Sequence, residues 1–229
     1  SNNKIKTNLN KNLILLKDIS FSYKDNKKEI LRNINLSIDQ GTIVGITGET
    51  GAGKSTLFHL MLGLLTPNSG NIFYKDKSIH SDMTSWRNQI GYIAQNIYLL
   101  DNTIERNISF DFLDEKIDKN RMDFAIKMSC LESKISELPF GLKTKVGNDG
   151  VRLSGGEKQR IALARSIYRN PNIFFMDEST SALDLNTEQK IIKNMKENFS
   201  KKTIILIAHR KTTINECDKI INLKNGCIN

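Results

Sequence analysis

The chain has 229 residues, of which 38% are hydrophobic and 26% charged, a balance that suits a soluble globular protein with a sizeable core. No apolar stretch approaches the roughly 18–20 residues that cross a bilayer, so we expect any membrane-spanning part to be another chain or another segment. The net charge of +9 is compatible with a nucleic acid or an anionic membrane surface. The basic residues do not cluster between aromatic residues, however, as a base-stacking surface requires. We therefore predict no nucleic-acid partner.

The cysteines exclude two further classes of site. Cys130, Cys217 and Cys227 are widely spaced, without a CxxC pair or a His/Cys cluster. This spacing argues against disulfides and against a zinc site, and it favours a reducing, cytoplasmic setting. The first residues also lack the apolar region of a signal peptide, so we expect none.

The predicted elements begin after a polar, aperiodic segment, residues 1–12, which we interpret as a linker or tail. Alternating apolar and polar residues predict half-buried antiparallel strands at Ile19–Tyr23 and Ile34–Ile38. The next predicted elements are a buried strand, a helix and a turn, at Thr42–Thr47, Lys54 to about Leu64, and Pro67–Gly70. The middle of the chain is predicted to be mostly helical, at Thr103–Ile108, Lys119–Ser129 and a long helix that starts near Ser154. Strands return at Ile173–Met176, Thr203–Ala208 and Lys219–Leu223.

This order predicts an α/β fold. Strands that alternate with helices form a mainly parallel sheet with helices on its faces. The early strands predict an antiparallel β lobe at the N-terminal side, and the helix-rich middle predicts a helical subdomain inserted into the core. We expect one domain over residues 13–229, with the helical subdomain at approximately 97–165.

The strongest local signal is a complete G-x-x-x-x-G-K-[ST] P-loop between an apolar strand and a helix. Its glycines let successive backbone N–H groups point at one anion, and the helix start adds the positive end of its dipole. Lys54 is expected to reach the β- and γ-phosphates, and the Ser55 hydroxyl to hold Mg²⁺. The alternative is a glycine-rich turn without function, against which the complete motif and its flanks argue. We predict a nucleoside triphosphate bound by Gly48, Glu49, Thr50, Gly51, Ala52, Gly53, Lys54, Ser55 and Thr56.

Further polar residues follow the later buried strands. Asp177 and Glu178 come directly after Ile173–Met176, at the edge of the sheet where α/β ligands bind. Asp177 is predicted to hold Mg²⁺, and Glu178 to orient the attacking water or accept its proton. The alternative is that both acids only cap a loop. His209 follows Thr203–Ala208, and although a lone histidine is usually structural, this one is placed to stabilise charge at the γ-phosphate.

A second predicted anion site implies a second copy of the chain. Ser154 and Glu157 have the spacing of a capping box, and Gly155 and Gly156 between them expose backbone N–H groups at a helix start. The chain has only one complete set of hydrolytic residues, so a second nucleotide in the same chain would lack its acids. We therefore predict that Ser154, Gly155, Gly156 and Glu157 contact the ATP bound by another copy, in a two-fold dimer with shared sites.

Taken together, these motifs resemble the ATPase domains of ATP-binding-cassette (ABC) transporters, which have the P-loop NTPase (RecA-like) fold. The P-loop, Leu-Ser-Gly-Gly-Glu (153–157), Phe-Met-Asp-Glu (175–178), Ser-Ala-Leu-Asp (181–184) and the later histidine occur in the order of that family. The resemblance implies that Tyr23 stacks on adenine and that Gln95 approaches Mg²⁺ and touches a transmembrane partner. It also implies that Asp184 lies at the dimer seam and that His209 is the switch histidine.

Other features of the resemblance point to an exporter. The stretches Thr103–Ile108 and Thr144–Gly150 resemble exporters rather than importers, and the region from Trp86 to Ile104 is most similar to exporters of lipid-linked oligosaccharides, with lipid and peptide exporters close to it. Three positions depart from the usual pattern: Glu157 stands where glutamine is commoner, Ala94 replaces a proline and Lys211 replaces a leucine. None of these departures removes a catalytic group.

The resemblance implies an ATPase that uses Mg²⁺, partnered by a second nucleotide-binding domain and a transmembrane domain, at the cytoplasmic face of the cell membrane. Three alternatives are an importer ATPase, a soluble ABC ATPase of translation or DNA repair, and an ATP-binding regulator that does not hydrolyse ATP. The exporter-like loops argue against the first. The single cassette without a long coiled coil argues against the second, and the presence of Glu178 and His209 argues against the third.

Overall fold

The structure, a computed structural model, describes residues 12–24, 29–110, 117–147, 150–177, 182–208 and 210–229. Its strands, in chain order, are β1 (Asn12–Phe21), β2 (Leu31–Asp39), β3 (Ile43–Thr47), β4 (Ser69–Tyr74), β5 (Lys77–Ser78), β6 (Ile90–Ile93), β7 (Asn102–Thr103), β8 (Lys145–Val146), β9 (Ile173–Met176), β10 (Thr203–Ile207), β11 (Lys219–Lys224) and β12 (Cys227–Ile228). The α-helices are α1 (Lys54–Met61), α2 (Met83–Gln89), α3 (Ile104–Ser109), α4 (Lys119–Met128), α5 (Glu132–Glu137), α6 (Gly155–Tyr168), α7 (Leu185–Asn198) and α8 (Lys211–Ile214). Single 3-10 turns lie at Ile79–Ser81 and Gly141–Lys143.

The early strands form an antiparallel sheet in the order β2-β1-β4-β5. Buried and exposed residues largely alternate along β2, because one face of this sheet packs on the core and the other faces outward. The predicted antiparallel lobe is therefore confirmed. Its strand β4 was not predicted, and it pairs along β1 on the side opposite β2.

The second sheet has six strands in the order β12-β11-β3-β10-β9-β6, and all of its pairs are parallel except β11 with β12. Every residue of β9 and β10 is buried. Strands buried on both faces are uniformly apolar, which explains why the sequence alone locates both of them. The predicted α/β fold with a mainly parallel core sheet is confirmed.

Each face of this sheet has its own hydrophobic cluster. Along β9, Ile173 and Phe175 belong to the cluster shared with the antiparallel lobe and α1. Phe174 and Met176 belong to the cluster shared with α3, α4, α6 and α7. This alternation is the two-residue period of a strand, and it places the lobe on one face and most helices on the other.

Several elements differ from the sequence predictions. The helix α1 ends at Met61, three residues before the predicted end, because Gly63 takes a positive φ of 70° just after it. The helix α7 and the strand β6 were not predicted, and both contribute to the region around the predicted site. In the described ranges, no helix is long and apolar enough to cross a membrane.

The stacked pair Phe174 and Phe199, with ring centroids 5.1 Å apart, provides a test of the helical face of the core. Phe174 is fully buried, so Phe174→Ala is expected to lower the free energy of unfolding by about 3–5 kcal/mol. Phe140 is 74% exposed, and Phe140→Ala is the matched control. This control should change the free energy of unfolding by less than about 0.5 kcal/mol. Urea unfolding of both variants measures the difference, and equal losses would contradict this account of the core.

Candidate nucleotide site

Four neighbouring parallel strands bring the predicted site residues to one edge of the sheet. In the order β3-β10-β9-β6, the last register pairs are Ile46 with Ile207, Leu206 with Met176, and Met176 with Ile93. The chain then continues into the P-loop after β3, Asp177 after β9 and Gln95 after β6. Because parallel strands end at the same edge of a sheet, these segments begin within about two residues of one another along the strand direction.

The P-loop closes around its own lysine. Lys54 is 7% exposed, and its Nζ donates to the backbone oxygens of Gly48 at 2.8 Å and Glu49 at 2.9 Å. Gly53, at the N-cap of α1, is left-handed with φ of 102°, and no side chain caps the helix. Gly51 also has a positive φ, 83°, which favours glycine. The uncapped helix start and the buried cation are the features that suit a phosphate group.

A cavity of about 310 Å³ adjoins this loop and is lined by Tyr23, Ile30, Thr50, Gly51, Gly53, Lys54, Ser55 and Thr56. This volume lies at the lower end of the range of small-molecule sites. The Tyr23 hydroxyl lies 3.3 Å from the hydroxyl of Thr56, and the ring is 43% exposed. The structure therefore places the predicted adenine-stacking residue beside the P-loop helix, with free ring surface. The cavity and cradle together fit a nucleotide.

Asp177, a predicted Mg²⁺ ligand, is almost completely buried. It is 7% exposed, and its backbone N–H donates to the oxygen of Ile93 at 2.9 Å, which extends the sheet by one residue. Tyr92, on the neighbouring strand β6, was not predicted from the sequence. Burial, the charge of Asp177 and a hydrogen bond to the Asp177 side chain raise the pKa of Tyr92 to about 12. The tyrosine thus donates to the carboxylate and restricts its orientation.

The other predicted metal residues, Ser55 and Gln95, are both exposed at this edge, so their side chains can reach a bound ligand. Within the described ranges, no group of three His, Cys, Asp or Glu side chains is arranged to hold a metal ion. Proteins usually hold Mg²⁺ through one or two carboxylates together with substrate phosphates and water, and the Asp177 carboxylate is a ligand of that kind.

Glu178, Ser181 and His209 lie outside the described residues, but the residues next to these gaps are anchored. The backbone N–H of Ala182 donates to the Gln159 side chain at 3.1 Å, and that of Ala208 donates to the Ile46 oxygen at 3.1 Å. Asp184, the predicted acid of the dimer seam, is the N-cap of α7 and accepts from the Thr187 backbone at 2.9 Å. Hydrogen bonds from Thr187 lower the pKa of Asp184.

The predicted capping box at the start of α6 is confirmed. The Ser154 hydroxyl accepts from the Glu157 backbone at 3.2 Å, and the Glu157 carboxylate accepts from the Ser154 backbone at 2.7 Å. The same carboxylate forms an ion pair with Lys134 at 2.9 Å. Glu157 is therefore directed toward its own chain, and a contact with the nucleotide of a second copy would require this pair to open.

Gly155 and Gly156 pack tightly against the residue that follows one of the gaps. A Cβ at Gly156 would lie 2.9 Å from the backbone oxygen of Ala182, and a Cβ at Gly155 would lie 3.3 Å from the Cβ of Ala182. Glycine at position 156 is therefore required for close approach within the chain, in addition to any role in anion binding. Sequence reasoning missed this packing because Ala182 is 26 residues further along the chain.

The two exporter-like stretches lie side by side. Strand β7 pairs antiparallel with β8, with Asn102 opposite Val146 and Thr103 opposite Lys145, and the Ile104 backbone donates to the Thr144 oxygen at 3.0 Å. Asn148 and Asp149, within the predicted Thr144–Gly150 loop, lie outside the described residues. The two stretches, which were identified separately in the sequence, thus form one surface.

Asn107 and Arg165 connect this surface to α6, and sequence reasoning missed both. Asn107 is fully buried, and its side chain accepts from the Leu100 backbone at 2.9 Å and donates to the Thr103 oxygen at 3.0 Å. The Arg165 Nε donates to the Asn107 backbone oxygen at 2.7 Å, and burial lowers the pKa of this guanidinium. The available signal for Asn107 was its place between Ile104 and Ile108 on the buried face of α3. A buried amide is normally hydrogen-bonded, so an asparagine at such a position indicates a polar contact.

A P-loop after a buried strand, an acidic residue after a parallel strand of the same sheet and a cavity beside the P-loop define the class as a P-loop nucleotide-binding domain. The family model described as "ABC transporter" matches residues 31–181. The chain therefore belongs to the ABC transporter family, as an ATP-binding ATPase domain.

Similar proteins agree with this assignment. The leukotoxin translocation ATP-binding protein LktB of Mannheimia haemolytica is 40% identical over 217 residues, which cover 94% of this chain and 30% of the relative. The protein of the same description from Bibersteinia trehalosi is 40% identical over 214 residues, 93% of this chain and 30% of the relative. The solved structure of a bacterial Atm1-family ABC exporter with ATP bound has a TM-score of 0.88 and 37% identity, over 96% of this chain and 39% of that chain. The chain thus spans less than half the length of each of these proteins.

The Glu157–Lys134 ion pair predicts a pH-dependent contribution to stability. Burial acts to raise the pKa of Glu157, but the hydrogen bonds from Lys134 and Ser154 outweigh it, so the pKa lies below its ordinary value of 4.5. A lowered carboxylate pKa stabilises the folded state above that ordinary value, and this stabilisation is lost as the pH falls through the lowered value. At pH 7, Glu157→Gln should therefore lower the free energy of unfolding by about 0.5–1 kcal/mol.

Urea unfolding from pH 7 to pH 3 checks this expectation, with Glu197→Gln as the control. Glu197 pairs with Lys193 at 3.9 Å on an exposed part of α7, so its loss should have no measurable effect. The stabilities of the wild type and Glu157→Gln should converge toward acid pH. A constant difference over the whole range would mean that the ion pair does not cause it.

Proposed function

We propose that this chain hydrolyses ATP with Mg²⁺ to power a membrane exporter, working as one of two nucleotide-binding domains that close around shared ATP. One observation carries the proposal: β3, β10, β9 and β6 end at the same edge of the sheet. These strands are followed in the chain by the P-loop, the segment that contains His209, Asp177 and Gln95, respectively. Family membership supports ATP as the nucleotide. The ATP-bound exporter among the similar structures supports an export function for the complete protein.

Ser55, Gln95 and Asp177 are the residues that would hold Mg²⁺. Bound Mg²⁺ would neutralise charge on the phosphate oxygens. The Tyr92 hydrogen bond keeps the Asp177 carboxylate oriented, and the high pKa of Tyr92 keeps the tyrosine a neutral donor at physiological pH. The Lys54 ammonium now donates to the carbonyl oxygens of Gly48 and Glu49. With ATP bound it would donate to phosphate oxygens instead, because these are also hydrogen-bond acceptors.

In the hydrolytic step, Glu178 polarises a water molecule for in-line attack on the γ-phosphate. Lys54, His209 and the glycine N–H groups of the P-loop stabilise the charge that spreads over the phosphoryl oxygens. Tyr23 holds the adenine ring by stacking. The P-loop and Asp177 follow parallel strands of one sheet, and groups that are held in place before the reaction lower the cost of orienting the reactants.

The second nucleotide-binding domain contributes the start of its α6 to each ATP. The capping box uses the N–H groups of residues 154 and 157, while those of Gly155 and Gly156 belong to the first helical turn, where no intrahelical acceptor exists. Two such groups at the positive end of a helix suit a γ-phosphate. Asp184 of each copy lies at the seam, and Glu157 acts in the second copy by holding this helix start in place.

The surface formed by β7 and β8, with Gln95 nearby in the chain, is proposed to receive the transmembrane domain at the cytoplasmic face of the membrane. We propose that residues 13–229 form the ABC domain and that approximately 97–165 form its helical subdomain, in which α3 and α4 both pack against α6. The cargo is predicted to be a lipid-linked oligosaccharide, a lipid or a peptide. No nucleic acid takes part in this function.

Lys54 provides the test of nucleotide binding. Lys54→Met removes the buried cation but keeps a side chain of similar length, so the affinity for Mg-ATP should fall by about 10-fold or more, given the strength of charge-assisted hydrogen bonds. Lys127→Met, on an exposed part of α4, is the matched control and should bind as the wild type does. Equilibrium titration with a fluorescent ATP analogue measures both. Equal affinities for the wild type and Lys54→Met would exclude the P-loop as the ATP site.

Glu178 provides the test of hydrolysis and of shared sites. The rate of Mg-ATP hydrolysis per molecule should rise with protein concentration in the wild type and fall by about 100-fold or more in Glu178→Gln, because the water then lacks its general base. With ATP present, Glu178→Gln should sediment as a dimer, since ATP stays bound. A monomeric Glu178→Gln chain under saturating ATP would remove the shared-site proposal, and normal turnover would remove the assigned role of Glu178.

A further inference from the structure

An ion pair with a buried carboxylate joins α7 to the residue after His209, and the proposed hydrolytic step does not use it. Glu188, on α7, is 2% exposed. One of its carboxylate oxygens accepts from Nη1 of Arg210, and the other accepts from the hydroxyl of Thr213 at 2.6 Å. The same Nη1 of Arg210 donates to the backbone oxygen of Leu183 at 3.0 Å. A single guanidinium group thus connects two points of the segment from 183 to 188.

Stability alone does not account for this pair. A buried ion pair contributes little net stability, because desolvation of the two charges offsets their attraction, and well-packed apolar residues of similar volume often serve as well. The position of the pair is its distinctive property. Leu183 directly precedes Asp184, the N-cap of α7, and Arg210 directly follows His209. The pair therefore joins the residue before Asp184 to the residue after His209, and the proposed function uses both Asp184 and His209.

The residue before His209 is anchored independently. The Ala208 backbone N–H donates to the Ile46 oxygen at 3.1 Å, at the end of the strand that leads into the P-loop. Position 209 is therefore the one residue between an anchor on β3 and an anchor on α7. The described residues on both sides of position 209 are thus held by hydrogen bonds, and fixing the neighbours of a residue lowers the entropy cost of ordering it.

The anchor on α7 is itself held by α6. The backbone N–H of Ala182 donates to Gln159, which is 5% exposed, and the oxygen of Ala182 lies against Gly156. The path from α6 to position 209 thus runs through Ala182 and Leu183 and then through Arg210. Each step is a hydrogen bond or a close packing contact between described residues.

We propose that Glu188 and Arg210 are positioning residues for hydrolysis, which hold the chain next to His209 against the start of α7 and so support the action of His209 on the γ-phosphate. This inference rests on the proposed function, because it requires that His209 acts on ATP. The described contacts of the pair are with Leu183 and Thr213, at the start of α7 and on α8, so we expect it to act on kcat and to leave ATP binding unchanged.

Glu188→Gln is the test variant, since it keeps the size of the side chain and removes the charge. We expect kcat to fall by about 10-fold or more, because small misplacements of a catalytic group have effects of that order. The KM for ATP and the affinity for a fluorescent ATP analogue should stay within about 2-fold of the wild type, as expected for a group that acts only in the transition state. Glu197→Gln, the same change on the exposed part of α7, is the control and should keep the wild-type kcat.

A double-mutant cycle with His209→Ala separates positioning from a merely structural role. If Glu188 acts through His209, Glu188→Gln should cause no further loss of single-turnover rate in the His209→Ala background. A further loss as large as in the wild-type background would overturn the inference. So would a Glu188→Gln kcat equal to that of Glu197→Gln while His209→Ala is impaired, and in that case the proposed function would stand. If His209→Ala hydrolyses ATP as fast as the wild type, the role of His209 and this inference both fail.

Arg210→Lys is the second variant, for the case in which Glu188→Gln lowers the melting temperature too far. Lysine keeps the charge and can still pair with Glu188, but its ammonium lacks the planar fork of the guanidinium. We expect a loss of kcat with an unchanged ATP affinity and a melting temperature close to that of the wild type. Loss of folding in both variants would identify the pair as structural and overturn the inference.

Discussion

The parallel pairing of β3, β10, β9 and β6 is the constraint on which the site depends. A slip of one residue between β9 and β10 would move Asp177 by about 3.3 Å along the sheet and turn its side chain to the opposite face. The register is held because β9 and β10 are buried on both faces, so a slip would exchange the residues of two different hydrophobic clusters. Core packing therefore sets the relative positions of the P-loop and Asp177.

The pair Gly155 and Gly156 shows how one sequence feature serves two physical requirements. Anion binding needs N–H groups that no side chain covers, and the packing against Ala182 needs the absence of a Cβ at position 156. The two requirements favour the same residue type and cannot be separated by inspection of the motif. A substitution at position 156 that weakened hydrolysis would disturb both the start of α6 and Ala182, which follows residues 178–181 in the chain. Glycine substitutions here are consequently poor probes of the dimer, and Glu178 is the better probe.

How much could be predicted from the sequence depended on how local each signal was. The strand Ile173–Met176 was predicted with its exact bounds because four consecutive apolar residues precede two acids. The P-loop and the capping box are likewise contiguous, and the structure has both where the sequence predicts them. The helix α7 was missed because its buried stripe, which includes Ile191, Ile192 and Met195, is sparse within a polar sequence.

Long-range contacts were beyond sequence reasoning for a different reason. Glu157 was predicted to contact the ATP bound by another copy, and the sequence did not indicate its ion pair with Lys134 from another helix. Nothing between residues 134 and 157 marks that pairing, because an ion pair between separate elements leaves no periodic pattern. Tyr92 beside Asp177 and Arg210 beside Glu188 were missed in the same way: each pair is brought together by the fold.

The helix α6 joins the two parts of the chain that the proposed function has to couple. Its first turns contact Ala182, which follows residues 178–181 in the chain, through Gly156 and Gln159. Its later turns carry Arg165, which holds Asn107 and through it the segment that leads into β7. Arg165 lies nine residues after Gly156 and six after Gln159, or roughly 9–14 Å along a helix axis. A regular α-helix resists compression over this distance because its backbone hydrogen bonds would have to break, so a displacement at one end moves the other. A closure of the dimer that pressed on the start of α6 would therefore reach the β7–β8 surface through a single rigid element.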